Sequence, residues 1–212
     1  MYIAIEGVIG VGKTSLARKI QPYFEAETLL EIFEENPFLS NFYADRSRYA
    51  FQTQIFFLMS RYHQQNKVFL SALGENKTVI SDYTFDKDAL FAGINLVGDE
   101  LEVYHNVHTA LADKFPNPDL VIYLKASLDT LMNRIAHRDR SYERNMERSY
   151  ISELMEAYDA FFAQDKWQGH VLVIETDELN FIENQDDLDY LVNRIKQFLR
   201  LAPYQQSLPL DG

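Results

Sequence analysis

Close to its start the chain reads Gly7-Val8-Ile9-Gly10-Val11-Gly12-Lys13-Thr14, which fits G-x-x-x-x-G-K-[ST] at every fixed position. The motif constrains the fold because it works only as the turn between a buried strand and a helix. Residues 2–6 are apolar enough for that strand, and 13–22 carry a helical pattern closed by Pro22. The glycines let backbone N–H groups turn inward around a polyphosphate, and the helix N-terminus adds its positive dipole end. Gly7, Gly10, Val11, Gly12, Lys13, Thr14 and Ser15 are therefore the expected ATP cradle. Lys13 would reach the β- and γ-phosphates, and Thr14 would ligate Mg²⁺. A chance glycine turn is the alternative. Three of the chain's eight glycines in one loop after a strand argue against it.

At 212 residues the chain is expected to form one domain, spanning 1–202, with a small lid. A hydrophobic fraction of 47% is ample for a core, and the absence of cysteine excludes disulfides, thiolate metal sites and a cysteine nucleophile. No apolar run approaches the ~18 residues that a membrane span needs, and no leader segment precedes the motif, so the expected compartment is the cytoplasm. The net charge of −12 argues against polymeric nucleic acid as a partner, because binding it needs a basic surface that displaces counterions. In so acidic a chain, clustered arginines stand out as placed for an anion.

Strand and helix signals alternate throughout. Strands are expected at 2–6, 28–32, 78–81, 120–124 and 171–174. Helices are expected at 13–22, 47–73, 87–96, 99–115, 128–137, 149–164 and 186–201. Alternation with fully apolar strands predicts an α/β fold, a five-stranded parallel sheet covered by helices on both faces. Residues 203–212 read as a loosely held C-terminal tail.

In an open parallel sheet, ligands sit outside the carboxyl ends of the strands. The second strand is expected to end at Glu31, the third at Ser81-Asp82-Tyr83 and the fourth at Lys125-Ala126-Ser127. Glu31 is either a general base for an attacking hydroxyl or a solvated glutamate beside Glu34 and Glu35. Asp82 is either a carboxylate of the Mg²⁺ site or a turn aspartate. Gln54 and Arg61, seven apart, project from one helical face beside Phe51, Phe56, Phe57 and Leu58. An amide there can donate and accept against a nucleobase edge; a core helix with a polar rim gives the same pattern. Arg134, Arg138 and Arg140 look like a phosphate clamp on a closing lid, or a basic helix end favoured by the dipole. Of the five histidines only His105 and His108 sit three apart, and both read as surface or core-edge residues.

Together these segments resemble a family. Glu6 to Thr14, then Glu31-Ile32-Phe33-Glu34-Glu35-Asn36-Pro37-Phe38-Leu39, Phe42-Tyr43, Gln54-Ile55-Phe56-Phe57-Leu58 and Arg134-Ile135-Ala136-His137-Arg138-Asp139-Arg140 occur in the order seen in deoxynucleoside kinases, most like the bacterial deoxyguanosine and deoxyadenosine kinases. The match runs from about residue 1 to 200. The resemblance implies a P-loop kinase fold with an arginine-rich lid at about 134–148. It implies Glu31 as the base that deprotonates the 5′-hydroxyl, Gln54 and Arg61 facing the nucleobase, and Tyr43 and Glu143 on the sugar 3′-hydroxyl. It also implies Arg134, Arg138 and Arg140 as lid arginines, Asn180 and Phe181 near the adenine of ATP, and a homodimer or a heterodimer with a paralogue. One segment departs. Many relatives carry an acidic-Arg-Ser or Asp-Arg triplet after strand three. Here Ser81-Asp82-Tyr83-Thr84-Phe85-Asp86-Lys87 keeps the acid as Asp82 and lacks the arginine, so Lys87 is expected to supply the charge. Bacterial deoxyguanosine kinases look similar at this point, which tilts the expected acceptor toward a purine deoxynucleoside, guanine before adenine.

Two other readings remain. A nucleoside monophosphate kinase on the same scaffold would want an arginine beside the acceptor sugar, where Tyr43 and Glu143 stand. A nucleotide-hydrolysing switch would want an Asn-Lys-x-Asp stretch; Asn76-Lys77-Thr78-Val79 begins that way, but Val79 replaces the aspartate.

Overall fold

The computed structural model describes residues 1–75, 77–144 and 146–201; the expected tail, 203–212, lies outside them, as does Asn76. β1 (Tyr2–Glu6) is buried along its whole length. Its side chains alternate between two apolar clusters. Ile3 and Ile5 pack with Leu16 and Ile20 of α1 (Lys13–Ile20) and with Leu191 and Ile195 of α8 (Gln185–Phe198). Tyr2 and Ala4 face the other way, toward Trp167 and Phe69 of α3 (Arg46–Glu75). A strand buried on both faces can carry apolar residues at every position, which is why 2–5 reads as a continuous run.

With β2 (Glu27–Leu29), β3 (Val79–Ser81), β4 (Leu120–Lys125) and β5 (Val171–Glu175), β1 forms one parallel sheet in the order β2-β3-β1-β4-β5. Ala4 lies opposite Ser81 on one side and Val121 on the other. The chain fills one side of β1 before crossing to the other, so a crevice opens at the carboxyl end of β1, where the phosphate loop begins. The two edge strands are less buried: Thr28 of β2 is exposed, and β5 alternates, with Val173 45% exposed.

The remaining helices are α2 (Leu39–Ala44), α4 (Lys87–Asn95), α5 (Gly98–Ala112), α6 (Leu128–Arg138) and α7 (Arg148–Phe162). Among the described residues no helix is long and apolar enough to cross a membrane. α3 starts where the Asp45 carboxylate accepts from the Arg48 N–H at 3.3 Å, a cap for an otherwise unpaired donor. No proline or glycine interrupts it before Gly74, and its 30 residues reach about 45 Å. That length carries Gln54 and Arg61 over the crevice. α6 is capped by Ser127, whose Oγ accepts from the Thr130 N–H.

Several expected boundaries move: the helices expected to end at 115, 164 and 201 stop at Ala112, Phe162 and Phe198, and two shifts bear on the site. The helix after the phosphate loop ends at Ile20, and Pro22 sits in a 3-10 turn at Gln21–Phe24. β2 stops at Leu29, so Glu31 is not the tip of the strand but lies in the loop beyond it. The cause is Asp82. Its backbone N–H bonds Leu29 O at 3.3 Å, and its carboxylate takes the Glu31 N–H at 2.8 Å. A side chain thus replaces the next rung of the ladder.

Gly7 shows how tightly the phosphate loop is seated. Its φ is +143°, and a Cβ there would lie 2.4 Å from Leu124 O in the β4 backbone. Gly7→Ala should cost on the order of 3 kcal/mol, lowering the melting temperature by roughly 6–12 °C. Gly93→Ala in α4 meets nothing within 4 Å and serves as the calorimetric control, expected neutral or stabilising.

Candidate active site

A cavity of about 760 Å³, including its open mouth, lies at the carboxyl ends of β1, β2 and β3 under α3. Lys13 and Thr14 line it at the phosphate loop, Glu31 and Asp82 at the strand ends, and Gln54 and Arg61 along α3. Lys87, Tyr43, Arg138, Arg140 and Glu143 also reach it.

The catalytic-base candidate sits in a compact charge network. Arg61 donates to Glu31 Oε1 through Nε at 3.1 Å and through Nη2 in a shorter contact. Lys87 Nζ donates to Glu31 Oε2 at 2.8 Å. The Glu31 side chain is 12% exposed. Burial alone would push its carboxyl up, but Arg61 and Lys87 overcome it and hold the group well below the usual carboxylate range. Arg61 makes a second ion pair to Asp88, which is completely buried in the first turn of α4. Sequence reading missed Asp88. An acid in the first turn of a helix ordinarily reads as a partner of the dipole; the available signal was its position beside Lys87 in an otherwise apolar helix.

Asp82 links three segments. Besides Glu31 N–H it accepts from the Thr14 hydroxyl in a short contact. Burial and the nearby Glu31 raise its carboxyl, against the Thr14 and Glu31 hydrogen bonds. Lys13 Nζ folds over the loop, donating to Gly7 O at 2.7 Å and Val8 O at 3.2 Å. Burial and Lys87 draw its ammonium down to about 8, against the pull of Glu6, Glu31 and Asp82. Glu6, also missed as an individual residue, is a buried carboxylate beneath the loop. It accepts from Thr84 N at 2.6 Å, Thr84 Oγ1 at 2.8 Å and Tyr158 OH at 3.0 Å, and burial raises it.

Gln54 is 3% exposed, and among the described residues it makes no hydrogen bond to protein, so its amide is available to the cavity. The arginine cluster separates. Arg138 forks onto Glu143 at 2.7 and 2.5 Å, and Arg140 lies 3.9 Å above the Phe33 ring. Arg134 does not line the cavity with them. It donates to Thr176 Oγ1 at 3.0 Å, Thr176 O at 2.7 Å and Val11 O at 3.4 Å, tying the loop after β5 to the phosphate loop. The reason is register: α6 packs its Ile135 against Gly10, which turns Arg134 toward Thr176. Phe181 is likewise buried, its ring 3.1 Å from where a Gly12 Cβ would lie, so it supports the loop from beneath. Asn180 is exposed and closes its own turn through Glu183 and Asp187. His108 is buried with its ring bonded to Phe85 O, and His105 is exposed, both away from the cavity.

The deoxynucleoside kinase family profile matches residues 3–200. The chain belongs to the deoxynucleoside kinase family. The kinase is 35% identical over 201 residues to a deoxyguanosine kinase from Bacillus subtilis (strain 168), covering 93% of this chain and 97% of that protein. A deoxyadenosine/deoxycytidine kinase of the same organism is 28% identical over 201 residues, covering 91% and 90%. A deoxyadenosine kinase from M. mycoides, solved with bound dCTP, superposes with a TM-score of 0.79 at 26% identity, covering 93% of this chain and all of that one. The fold is accordingly that of a P-loop kinase, and the phosphoryl donor is ATP.

Lys13 must be cationic to hold phosphates. In the free enzyme its charge is lost as pH rises through about 8. kcat/KM for ATP, which reports the free enzyme, should therefore fall above about pH 8. In kcat the basic limb should move to higher pH, because bound phosphates stabilise the ammonium. Parallel pH profiles of the two parameters check this; a kcat/KM that stays flat to high pH contradicts it.

Proposed function

We propose that the kinase transfers the γ-phosphate of ATP to the 5′-hydroxyl of a purine 2′-deoxynucleoside, with deoxyguanosine favoured and deoxyadenosine also accepted. The observation that carries the proposal is one cavity lined at once by Lys13, the ionised Glu31 and the unpaired amide of Gln54. The purine assignment is supported by the Bacillus subtilis deoxyguanosine kinase among the relatives.

In this mechanism Gln54 holds the base edge, with Arg61 and its partner Asp88 behind it. Tyr43 and Glu143 take the sugar 3′-hydroxyl. Glu31 orients the 5′-hydroxyl and accepts its proton as the bond to phosphorus forms. A carboxylate held so firmly ionised is a weak base. That suffices where the transition state is loose and metaphosphate-like, because the proton leaves late. Lys13, Arg138 and Arg140 balance charge on the transferring group. Arg138 is forked onto Glu143 and lines the cavity, so in this reading sugar and phosphate binding are joined at one residue. Arg134 acts indirectly, by holding the β5 loop, with Asn180 and Phe181, beside the phosphate loop. An acceptor end built of Tyr43 and Glu143 suits a neutral hydroxyl, not a phosphate.

Thr14 Oγ1 and the Asp82 carboxylate are two hard oxygen donors already in contact, a set that fits Mg²⁺ with phosphate oxygens and water completing the shell. Bound there, Mg²⁺ would neutralise charge between the β- and γ-phosphates. We further assign a cytoplasmic location and a dimer, the latter supported by exposed Met59 on α3 and by Val97 and Val103 at and on α5.

The direct test is a panel of the four deoxynucleosides with ATP and Mg²⁺, read as monophosphate formed. ATP hydrolysis that ignores the added nucleoside would contradict the acceptor. Glu31→Gln should leave the nucleoside KM within a few-fold and lower kcat by about 10²- to 10⁴-fold, as expected for a lost general base. Near-normal kcat in that variant would remove Glu31 from the mechanism.

A further inference from the structure

Glu6 ends β1 and is 1% exposed, and the mechanism gives it no task. A carboxylate is costly to bury and is retained where partners compensate it. The partners of Glu6 form a clamp on a single residue. Its Oε1 accepts from both Thr84 N–H at 2.6 Å and Thr84 Oγ1 at 2.8 Å, and its Oε2 accepts from Tyr158 OH at 3.0 Å. The two bonds to Thr84 fix its backbone and its side-chain rotamer together. With its proton committed to Glu6, the Thr84 hydroxyl accepts from the Lys87 N–H at 3.3 Å. That N–H opens α4, where backbone donors have no helical partner. Asp86, at the cap position, makes no side-chain cap bond, and Thr84 supplies one in its place. A continuous chain of hydrogen bonds thus runs from the end of β1 through Glu6 and Thr84 to the first residue of α4.

Neither Glu6 nor Thr84 is among the residues that line the cavity, but Lys87 is, and its Nζ lies 2.8 Å from Glu31 Oε2. An ammonium on a long flexible stem is directed by the backbone from which it starts. We propose that Thr84 is a positioning residue for the acceptor site: clamped by Glu6, its hydroxyl sets the start of α4 and thereby holds the Lys87 ammonium on Glu31. The proposal rests on reading Glu31 as the base. It also gives the buried carboxylate at the end of β1 a purpose, because the phosphate loop begins at the next residue. The strand that presents the phosphate cradle and the helix that presents Lys87 are joined through one threonine.

The test is steady-state kinetics of the full-length enzyme with ATP, Mg²⁺ and deoxyguanosine, comparing wild type, Thr84→Val, Thr84→Ser and Tyr158→Phe. Thr84→Val deletes the hydroxyl at nearly constant shape; it should lower kcat about tenfold and leave both KM values within about threefold. Thr84→Ala lacks the same hydroxyl without added bulk and should match valine. Thr84→Ser keeps the hydroxyl and should stay within about twofold of wild type. Tyr158→Phe takes a hydrogen bond from the same carboxylate without touching the path to α4; it should lower the melting temperature as Thr84→Val does, yet leave kcat within about twofold. Added to Glu31→Gln, Thr84→Val should lower kcat no further, because residues acting through one group are not additive. Wild-type kcat in both Thr84→Val and Thr84→Ala, a loss confined to KM, a serine variant that behaves like valine, a Tyr158→Phe variant as slow as Thr84→Val, or a full further loss on top of Glu31→Gln would each overturn the proposal. Near-normal kcat in Glu31→Gln alone overturns the base assignment itself, and the role of Thr84 with it.

Discussion

A buried carboxylate shared between two cations is the constraint on which this site depends. Glu31, Arg61, Lys87 and Asp88 carry two negative and two positive charges in a region nearly closed to solvent. The group is neutral only as a whole. Removing one member of such a set leaves an uncompensated charge, a change that costs about 3–5 kcal/mol in buried pairs. Function benefits from the same balance. Glu31 stays ionised although burial opposes it, so the residue proposed as the base is always in the form that can take a proton.

The fold keeps those four residues together with short, local devices. Glu31 lies beyond β2, and its backbone is fixed by the Asp82 carboxylate, which also meets Thr14 at the start of α1. A single aspartate therefore sets the distance between Glu31, the proposed base, and the phosphate loop. Arg61 arrives from the middle of α3, whose capped start and uninterrupted length span the crevice. Asp88 and Lys87 are neighbours at the start of α4, one turned to Arg61 and the other to Glu31. Displacing α4 would unbalance both ion pairs at once.

Much of this was legible in the sequence. The octet from Gly7 to Thr14 is local, so its strand–loop–helix geometry follows from a short stretch. The apolar runs of β1 and β4 report burial on both faces directly. The seven-residue interval between Gln54 and Arg61 translates into one helix face because nothing breaks α3. What could not be read depends on contacts distant in sequence. β2 ends early because Asp82, more than fifty residues later, competes for its backbone. Arg134 sits one helical turn from Arg138, and only the packing of Ile135 on Gly10 decides that it faces Thr176 and not the cavity. Asp88 carries no local mark of burial, since its partner is on another helix.

The lysine at position 87 has a consequence for how the acceptor approaches. A carboxylate has about four lone-pair positions, two on each oxygen. Arg61 fills both positions on Oε1, through Nε and Nη2, whereas Lys87 supplies a single donor to Oε2. Among the described residues nothing else donates to Oε2, and one position on it stays open. An arginine at 87 would present a planar fork suited to bidentate pairing and would tend to occupy it. With lysine, the acceptor hydroxyl of the proposed mechanism would donate to Oε2 beside the ammonium. The proton thus arrives on the oxygen with fewer donors, where the gain in basicity is greatest. Lysine at 87 therefore keeps the charge balance intact and, in the proposed mechanism, gives the two oxygens of Glu31 different tasks, one anchored to α3 and one facing the acceptor.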